Sequence, residues 1–504
     1  MDSLESQSKS VTKASSYMLL SAAIRKTIFD RIGGLKGTDI KAKSARGVVA
    51  LSIGTFAGRS MRFVRSMILA RILAPDQIGI MAIIMSFSMA FEALTEVGVK
   101  QSIIQNKRGA DTDYLNVAWW MQAIRALCLY GIAVLSAPWI SSFYDNPDLL
   151  KLLRVAFIAI ALRGFVSPRA HVLEKEYKFG RAVFLVQGSA ILGAIISIGL
   201  ALVIRNVWAL VIGFVTEMAI LCILSFILVP FLPRFHVDRK CLSELMKFAR
   251  RMFGLPVLAM LSFQAPILVL GKVISADQLG LYSFAALFAY IPIELFIKII
   301  SPVLLPAFSE KQDDKEALCR GLIKTTWWAA FFIIPSVTFM VCCSRELLLL
   351  AYGPQYVAMA LTFTVLCLEI LARNEATILA GLYLAVGLPH LQRRFAMIRA
   401  VFIIGLIYPA AVRFGPLGTA AVITLSNFVI LFMQAMKTRD VIGLKFGQYI
   451  RSYIPGLLMA LPIIINAGLL WVFKVDYYLF VLAISALVFI ATFVAGVLIL
   501  DRLK

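Results

Sequence analysis

The chain has 504 residues, 61% of them apolar or aromatic and only 15% charged, and its mean hydropathy is +0.87. Soluble domains carry roughly 45–50% apolar residues even with glycine counted, so a soluble globular, disordered or disulfide-stapled chain is excluded and a polytopic membrane protein remains. The formal charge of +22 would point to nucleic acid in a soluble protein. In a membrane protein it reads first as loop charge bias, with no nucleic-acid partner.

The seven cysteines include no CxxC pair, and His171, His236 and His390 are scattered through short polar connections. No disulfide framework, metal site or cofactor is expected from them. Residues 1–45 form a polar, basic tail in which Leu20, Ile24, Ile28 and Ile32 recur every four residues, with Arg25, Lys26 and Arg31 off that stripe. The pattern fits an amphipathic helix on an anionic membrane surface or a loosely ordered tail. No small-residue cleavage site follows, so it does not read as a cleavable signal.

From there apolar runs alternate with short polar breaks. The spans predicted are 46–73, 78–104, 114–142, 149–171, 182–204, 207–232, 249–275, 280–305, 321–343, 357–386, 393–413, 416–436, 450–473 and 477–500. Each is long enough for a helix through ~30 Å of hydrocarbon. The expectation is therefore an all-α protein of about 14 transmembrane helices, or twelve or thirteen if the weak run at 393–413 fails. Every second break is rich in Lys and Arg, as at Lys107–Arg108, Arg239–Lys240, Arg393–Arg394 and Lys437–Arg439. The others are nearly free of them. That alternation predicts an even number of spans and both termini in the cytoplasm.

An internal repeat is legible. Leu69–Ala82 (LARILAPDQIGIMA) matches Leu270–Ser283 (LGKVISADQLGLYS), pairing Asp76 with Asp277 and Gly79 with Gly280 at an offset of 201 residues. Each copy ends one helix, turns and starts the next. Six spans per copy is an even number, so the copies should share orientation and be related by an axis along the membrane normal. The implied organisation is a tail (1–45), an N-lobe of spans 1–6 (46–232), a linker (233–248), a C-lobe of spans 7–12 (249–436) and two further helices (437–504).

The segments Leu69–Gln105, Leu153–Phe179 (LRVAFIAIALRGFVSPRAHVLEKEYKF), Arg205–Gly213 (RNVWALVIG) and Ser275–Ala285 (SADQLGLYSFA) resemble the polysaccharide transport, or Wzx-type oligosaccharide flippase, family. It is part of the multidrug/oligosaccharidyl-lipid/polysaccharide exporter superfamily. The resemblance covers nearly the whole chain after Arg46, weakening beyond about Tyr356, and the long N-terminal tail departs from it. It implies two six-helix lobes around a central cavity plus two C-terminal helices. It also implies movement of undecaprenyl-pyrophosphate-linked oligosaccharide across the bacterial inner membrane for exopolysaccharide, capsule or O-antigen. Polymerase and chain-length proteins are the implied partners.

Charge inside the spans is the feature that residues alone supply. Each such charge costs about 2.5–3.5 kcal/mol at a helix centre, so it should line a cavity or meet a partner. Span 1 carries Arg59, Arg62 and Arg65, and span 2 carries Glu92, Glu96 and Lys100. Arg125, Arg163 and Glu217 follow on spans 3, 4 and 6, Glu294 and Lys298 on span 8, and Glu369, Arg373 and Glu375 on span 10. The pairs Glu294/Lys298 and Glu369/Arg373 are four apart and suit local pairing. The three arginines of span 1 lie within about 120° of one face and have no acid partner in their own helix. With Arg125 and Arg163 they predict a cationic cavity, and a guanidinium fork suits pyrophosphate. Membrane lipid would hold the polyprenyl tail.

No phosphate-binding GxxxxGK[ST] loop is present, so an ion gradient or downhill product removal would supply energy, with Glu92, Glu96, Glu217 and Glu294 as ion-coupling candidates. Pro256 and Pro266 flank Gln264 in span 7, the repeat partner of span 1, and predict a bent gating helix. An arginine stair is also the pattern of a voltage sensor, but no pore-loop segment accompanies it. A drug/cation antiporter of the same superfamily conflicts with the excess of arginine. A membrane polymerase or glycosyltransferase conflicts with outer loops of a few residues, and a purely structural scaffold with the cost of buried charge.

Overall fold

The computed structural model describes residues 40–94, 98–176, 178–234, 238–252, 255–294, 296, 304, 307–473 and 477–502. The tail stripe, Glu96 and Lys298 lie outside the described residues. Within them the protein is all-α: α1 Ile40–Ile72, α2 Pro75–Leu94, α3 Val99–Gln105, α4 Thr112–Phe143, α5 Asp148–Ala156, α6 Ile158–Gly164, α7 Arg169–Lys175, α8 Phe179–Ile204, α9 Val207–Leu228, α10 Arg239–Met252, α11 Leu255–Val273, α12 Ala276–Ala289, α13 Lys315–Cys342, α14 Ser344–Tyr352, α15 Ala360–Ala385, α16 Pro389–Ile442, α17 Phe446–Arg451, α18 Ile454–Val472 and α19 Tyr478–Arg502. Among the described residues nine helical stretches are long and apolar enough to cross a bilayer. The protein has a polytopic membrane fold.

Local chemistry accounts for the departures from the predicted spans. The run 149–171 is three short pieces, α5, α6 and α7. Pro168 supplies the residue before α7, so the helix restarts there. The linker predicted at 233–248 is helical, as α10. Its Cys241 and Leu245 are buried while Lys240 and Lys247 face out, so it lies as an amphipathic helix along the bundle. Pro256 and Pro266 both lie within the described range of α11.

α16 runs over 54 residues but breaks at Gly415, with φ 56° and ψ −137°, a conformation that glycine alone adopts readily. The chain folds back on itself there. Gln434 donates to Gln392 and Arg399 to Asn427, and a Cβ at Gly418 would strike the Ala410 carbonyl. All three pairs are centred on residues 413–414, the signature of an antiparallel helical hairpin. The weak run at 393–413 is therefore a helix in its own right.

The largest core joins both halves of the chain. Leu69, Leu73, Ile84, Leu270, Leu279, Tyr282, Tyr352 and Phe363 are all buried in it. They gather at the end marked by the loops poor in Lys and Arg. There Gly79 of α2 and Gly280 of α12 touch. A Cβ on Gly79 would lie 1.9 Å from the Ala276 carbonyl oxygen, and one on Gly280 would lie 1.8 Å from that of Pro75. The two contacts exchange under the 201-residue offset, which is the local mark of a two-fold relation. Asp76 and Asp277 thus sit at the same end. Four polar contacts tie the halves together round this point: Lys272 to Asp145 at 2.8 Å, Arg71 to the Leu350 carbonyl at 2.7 Å, Tyr144 to the Leu268 carbonyl at 2.9 Å, and Ser66 with Tyr352 at 3.1 Å.

Candidate functional site

α1 runs beside α8 because its small residues allow it. A Cβ at Gly58 would overlap the Gln187 amide at 1.8 Å, so glycine there lets Gln187 tuck against the helix. The arginines start at the next residue of α1. Their spacing of three distributes them over three neighbours. Arg59 ion-pairs with Glu294 from the other half of the chain. Arg62 donates to Gln187 Oε1 of α8 at 3.3 Å. Arg65 pairs with Glu217 of α9 at 3.4 Å. Arg163 of α6 pairs with Glu92 of α2 at 2.5 Å.

A cavity of about 450 Å³ lies between these helices and is lined by Arg62, Arg125, Arg163, Glu92 and Glu217. All its lining residues fall between Arg62 and Leu221, so it is enclosed by the N-terminal half rather than shared between the halves. The stair does not enter it as a block: Arg62 lines it, whereas Arg59 and Arg65 are absent from its wall. The acid partners missing from α1 come from other helices, Glu294 for Arg59 and Glu217 for Arg65. Lining basic groups Arg62, Lys100, Arg125 and Arg163 face carboxylates Glu92, Glu174 and Glu217, an excess of one cation.

Part of the wall is built from the two seven-residue helices α3 and α7. Lys100 bridges to Glu174 at 2.8 Å, and Lys175 donates to the carbonyls of Asn106 and Lys107. His171 of α7 also lines the cavity. Burial, and then the Lys100 ammonium, push its pKa down to about 4, so it is neutral at pH 7. Asn106 donates to Glu244 at 2.7 Å, and Arg108 reaches Asp238, fastening α10 and its lead-in to this end.

Gln264 of α11 accepts from Ser86 of α2 at 2.9 Å and donates to Met89 Sδ at 3.0 Å. It therefore joins the halves rather than lining the cavity. The reading of residues missed Gln187, Gln122, Lys100 and Glu174 as parts of the site. Gln187 and Gln122 had a signal, as amides in the middle of apolar runs. Among the described residues no group of three His, Cys, Asp or Glu could hold a metal ion, and the cysteines are free thiols.

Helical bundles crossing a membrane around an ion-paired polar cavity define a membrane transporter fold. A family model described as "Polysaccharide biosynthesis protein" matches residues 68–361, and the chain belongs to that family. It is 25% identical over 438 residues to the succinoglycan biosynthesis transport protein ExoT of Rhizobium meliloti (strain 1021), covering 84% of this chain and 87% of that one. It is 22% identical over 437 residues to the lipopolysaccharide biosynthesis protein WzxC of Escherichia coli (strain K12), covering 84% and 87%. Its fold is similar to the lipid II flippase MurJ in an inward closed conformation, with a TM-score of 0.72 at 16% identity over 90% of this chain and 99% of that one.

Proposed function

We propose that this protein moves a polyprenyl-pyrophosphate-linked oligosaccharide across the bacterial inner membrane by alternating access. The observation that carries the reading is Arg62. It lines the cavity, its acceptor is the neutral Gln187 amide, and its buried Nε makes no hydrogen bond within the described residues. An anion entering the cavity can take this guanidinium without first breaking an ion pair. The cavity volume lies within the roughly 300–1,000 Å³ of small-molecule sites, suited to a head group whose lipid tail stays outside. The excess of one basic group disfavours a cationic drug.

The architecture that goes with this function is about 14 spans, arranged as two six-helix lobes related by the repeat, with two further C-terminal helices. Both termini lie on the side of the basic loops, in the cytoplasm. The end held by Gly79 and Gly280 is then the outer gate, closed. Arg125 and Arg163 join Arg62 at the substrate, while Arg59 and Arg65 set the position of α1 through Glu294 and Glu217. Arg59–Glu294 crosses between the halves, so breaking this pair would loosen them. Among the coupling carboxylates, Glu92, Glu217 and Glu294 act through their arginine partners. A polymerase and a chain-length protein would take the product.

Replacing Arg62 by Ala removes charge-assisted bonds worth about 1.5–3 kcal/mol each. Glycan export should fall at least tenfold with protein abundance unchanged, and Arg62→Lys should recover part of it. Export at the wild-type rate by a normally inserted Arg62→Ala variant would show that the arginine is structural.

A further inference from the structure

Helix α15 buries two carboxyl groups in opposite surroundings. Glu369 meets Arg373 at 2.6 Å and Asn427 at 2.8 Å. Arg373 itself is held between the rings of Phe263 and Tyr290. Glu375 lies about 200° round the helix from Arg373 and is equally buried, at 2% exposure. It has no cationic partner among the described residues. Thr326 of α13 and Tyr449 of α17 both donate to Glu375 Oε2, at 3.0 and 3.1 Å. Tyr453, just before α18, donates to the Tyr449 hydroxyl at 3.1 Å and also reaches the carboxyl.

Charged groups on the surrounding elements are directed elsewhere. Lys324 on α13, Lys445 just before α17 and Arg451 at its end are exposed. Arg399 of α16 bonds Asn427 on the Glu369 side. An ionised carboxylate at Glu375 has only neutral dipoles to replace water, a costly arrangement for a fixed structural ion. Hydroxyls are the one partner type that serves both charge states. They donate to a carboxylate, and they accept from a carboxylic acid. A guanidinium or amide N–H can only donate, and it locks the charge, as at Glu369.

We propose that Glu375, with Thr326, Tyr449 and Tyr453, is a proton-binding site that loads and unloads during the transport cycle. This rests on the reading of the protein as a transporter, and it adds a proton site to the arginine-paired carboxylates. No covalent bond changes. In the loaded form the carboxyl O–H donates to the Thr326 or Tyr449 oxygen. On unloading, the proton passes to water along the Tyr449–Tyr453 hydroxyl pair, and the hydroxyls rotate to donate to the carboxylate. The site lies about 15 Å from the end of α15 at Ala385. Tyr453 leads from it to the basic loop at Lys445–Arg451, the side from which the proton would exchange. Because Tyr449 lies in α17 and Tyr453 is the residue before α18, a change of charge at Glu375 shifts the entry to α18.

The test has a readout that needs no glycan. The full-length protein in vesicles is followed by infrared spectroscopy through the C=O stretch of a protonated carboxyl as pH is raised. The expected result is a band that titrates away, is missing in Glu375→Gln, and has its midpoint moved in Tyr449→Phe. The wild-type band should be indifferent to sodium at fixed pH. Loss of the band on adding sodium would replace the proton by a metal cation and overturn the proposal. A wild type without a titrating band assigned to Glu375 would overturn it too. In cells, Glu375→Gln should lower export at least tenfold at normal abundance, with partial recovery in Glu375→Asp. If the band titrates as described but Glu375→Gln exports normally, the carboxyl is structural. If the protein proves not to be a flippase, the infrared titration is unaffected, so the two failures are separable.

Discussion

The contact between Gly79 and Gly280 sets how firmly one end of the molecule is closed, and a single methyl group tests it. In Gly79→Ala the new Cβ would lie 1.9 Å from the Ala276 oxygen and 2.9 Å from its carbon. Both are backbone atoms of α12, so no rotamer change relieves the overlap. To reach even 3.0 Å the helices must part by roughly 1 Å, against carbon contacts that prefer about 3.5–4.0 Å. Overpacking of this kind costs about 1–3 kcal/mol. The cost falls only on the state in which the two ends touch. The equilibrium should therefore shift toward opening by about 5–150-fold. Ser86 reports on this. It is 1% exposed and bonded across the interface to Gln264. With the native cysteines replaced and Ser86→Cys introduced, Gly79→Ala should speed labelling by a membrane-impermeant maleimide by that factor. Gly280→Ala should do the same, and the double variant should fall short of the product because the two sites share one contact. Unchanged labelling in both single variants, with the protein folded, would falsify the claim that this contact is the seal.

Two further outcomes follow from local geometry. Gly415 holds φ 56° and ψ −137°, so Gly415→Ala should cost about 1–3 kcal/mol, seen as a lower unfolding midpoint in detergent, whereas Gly405→Ala, in open helical space, should not. Burial and Lys100 depress the His171 pKa to about 4, against ~6.5 in an unfolded chain. Between those values the unfolded chain binds more protons, so stability conferred by the neutral ring is full above pH 6.5 and lost as pH falls toward 4. His171→Gln should flatten the stability profile over that window. An unchanged slope would mean that His171 titrates normally.

Much of this protein was legible as a string. An apolar run of twenty or more residues has few options but a helix in a membrane, which is why α4, α8, α9, α13 and α18 coincide with the runs read for them. Asp76/Asp277 and Gly79/Gly280 announced their equivalence through spacing alone. The arginines of α1 were recognisable as costly charges needing an answer. What answers them was not legible, because Glu294, Gln187 and Glu217 come from three different helices. Which of them faces an arginine depends on how each helix is rotated and how closely it approaches, here set by Gly58 on α1. Glu369 and Glu375 make the same point more sharply. They are one kind of residue, on one helix, six positions apart, yet one is neutralised by a guanidinium and the other cradled by hydroxyls. Sequence determines that a carboxyl is present at a given depth. Only packing decides what replaces its water, since a partner's identity is a property of neighbours that lie far away along the chain.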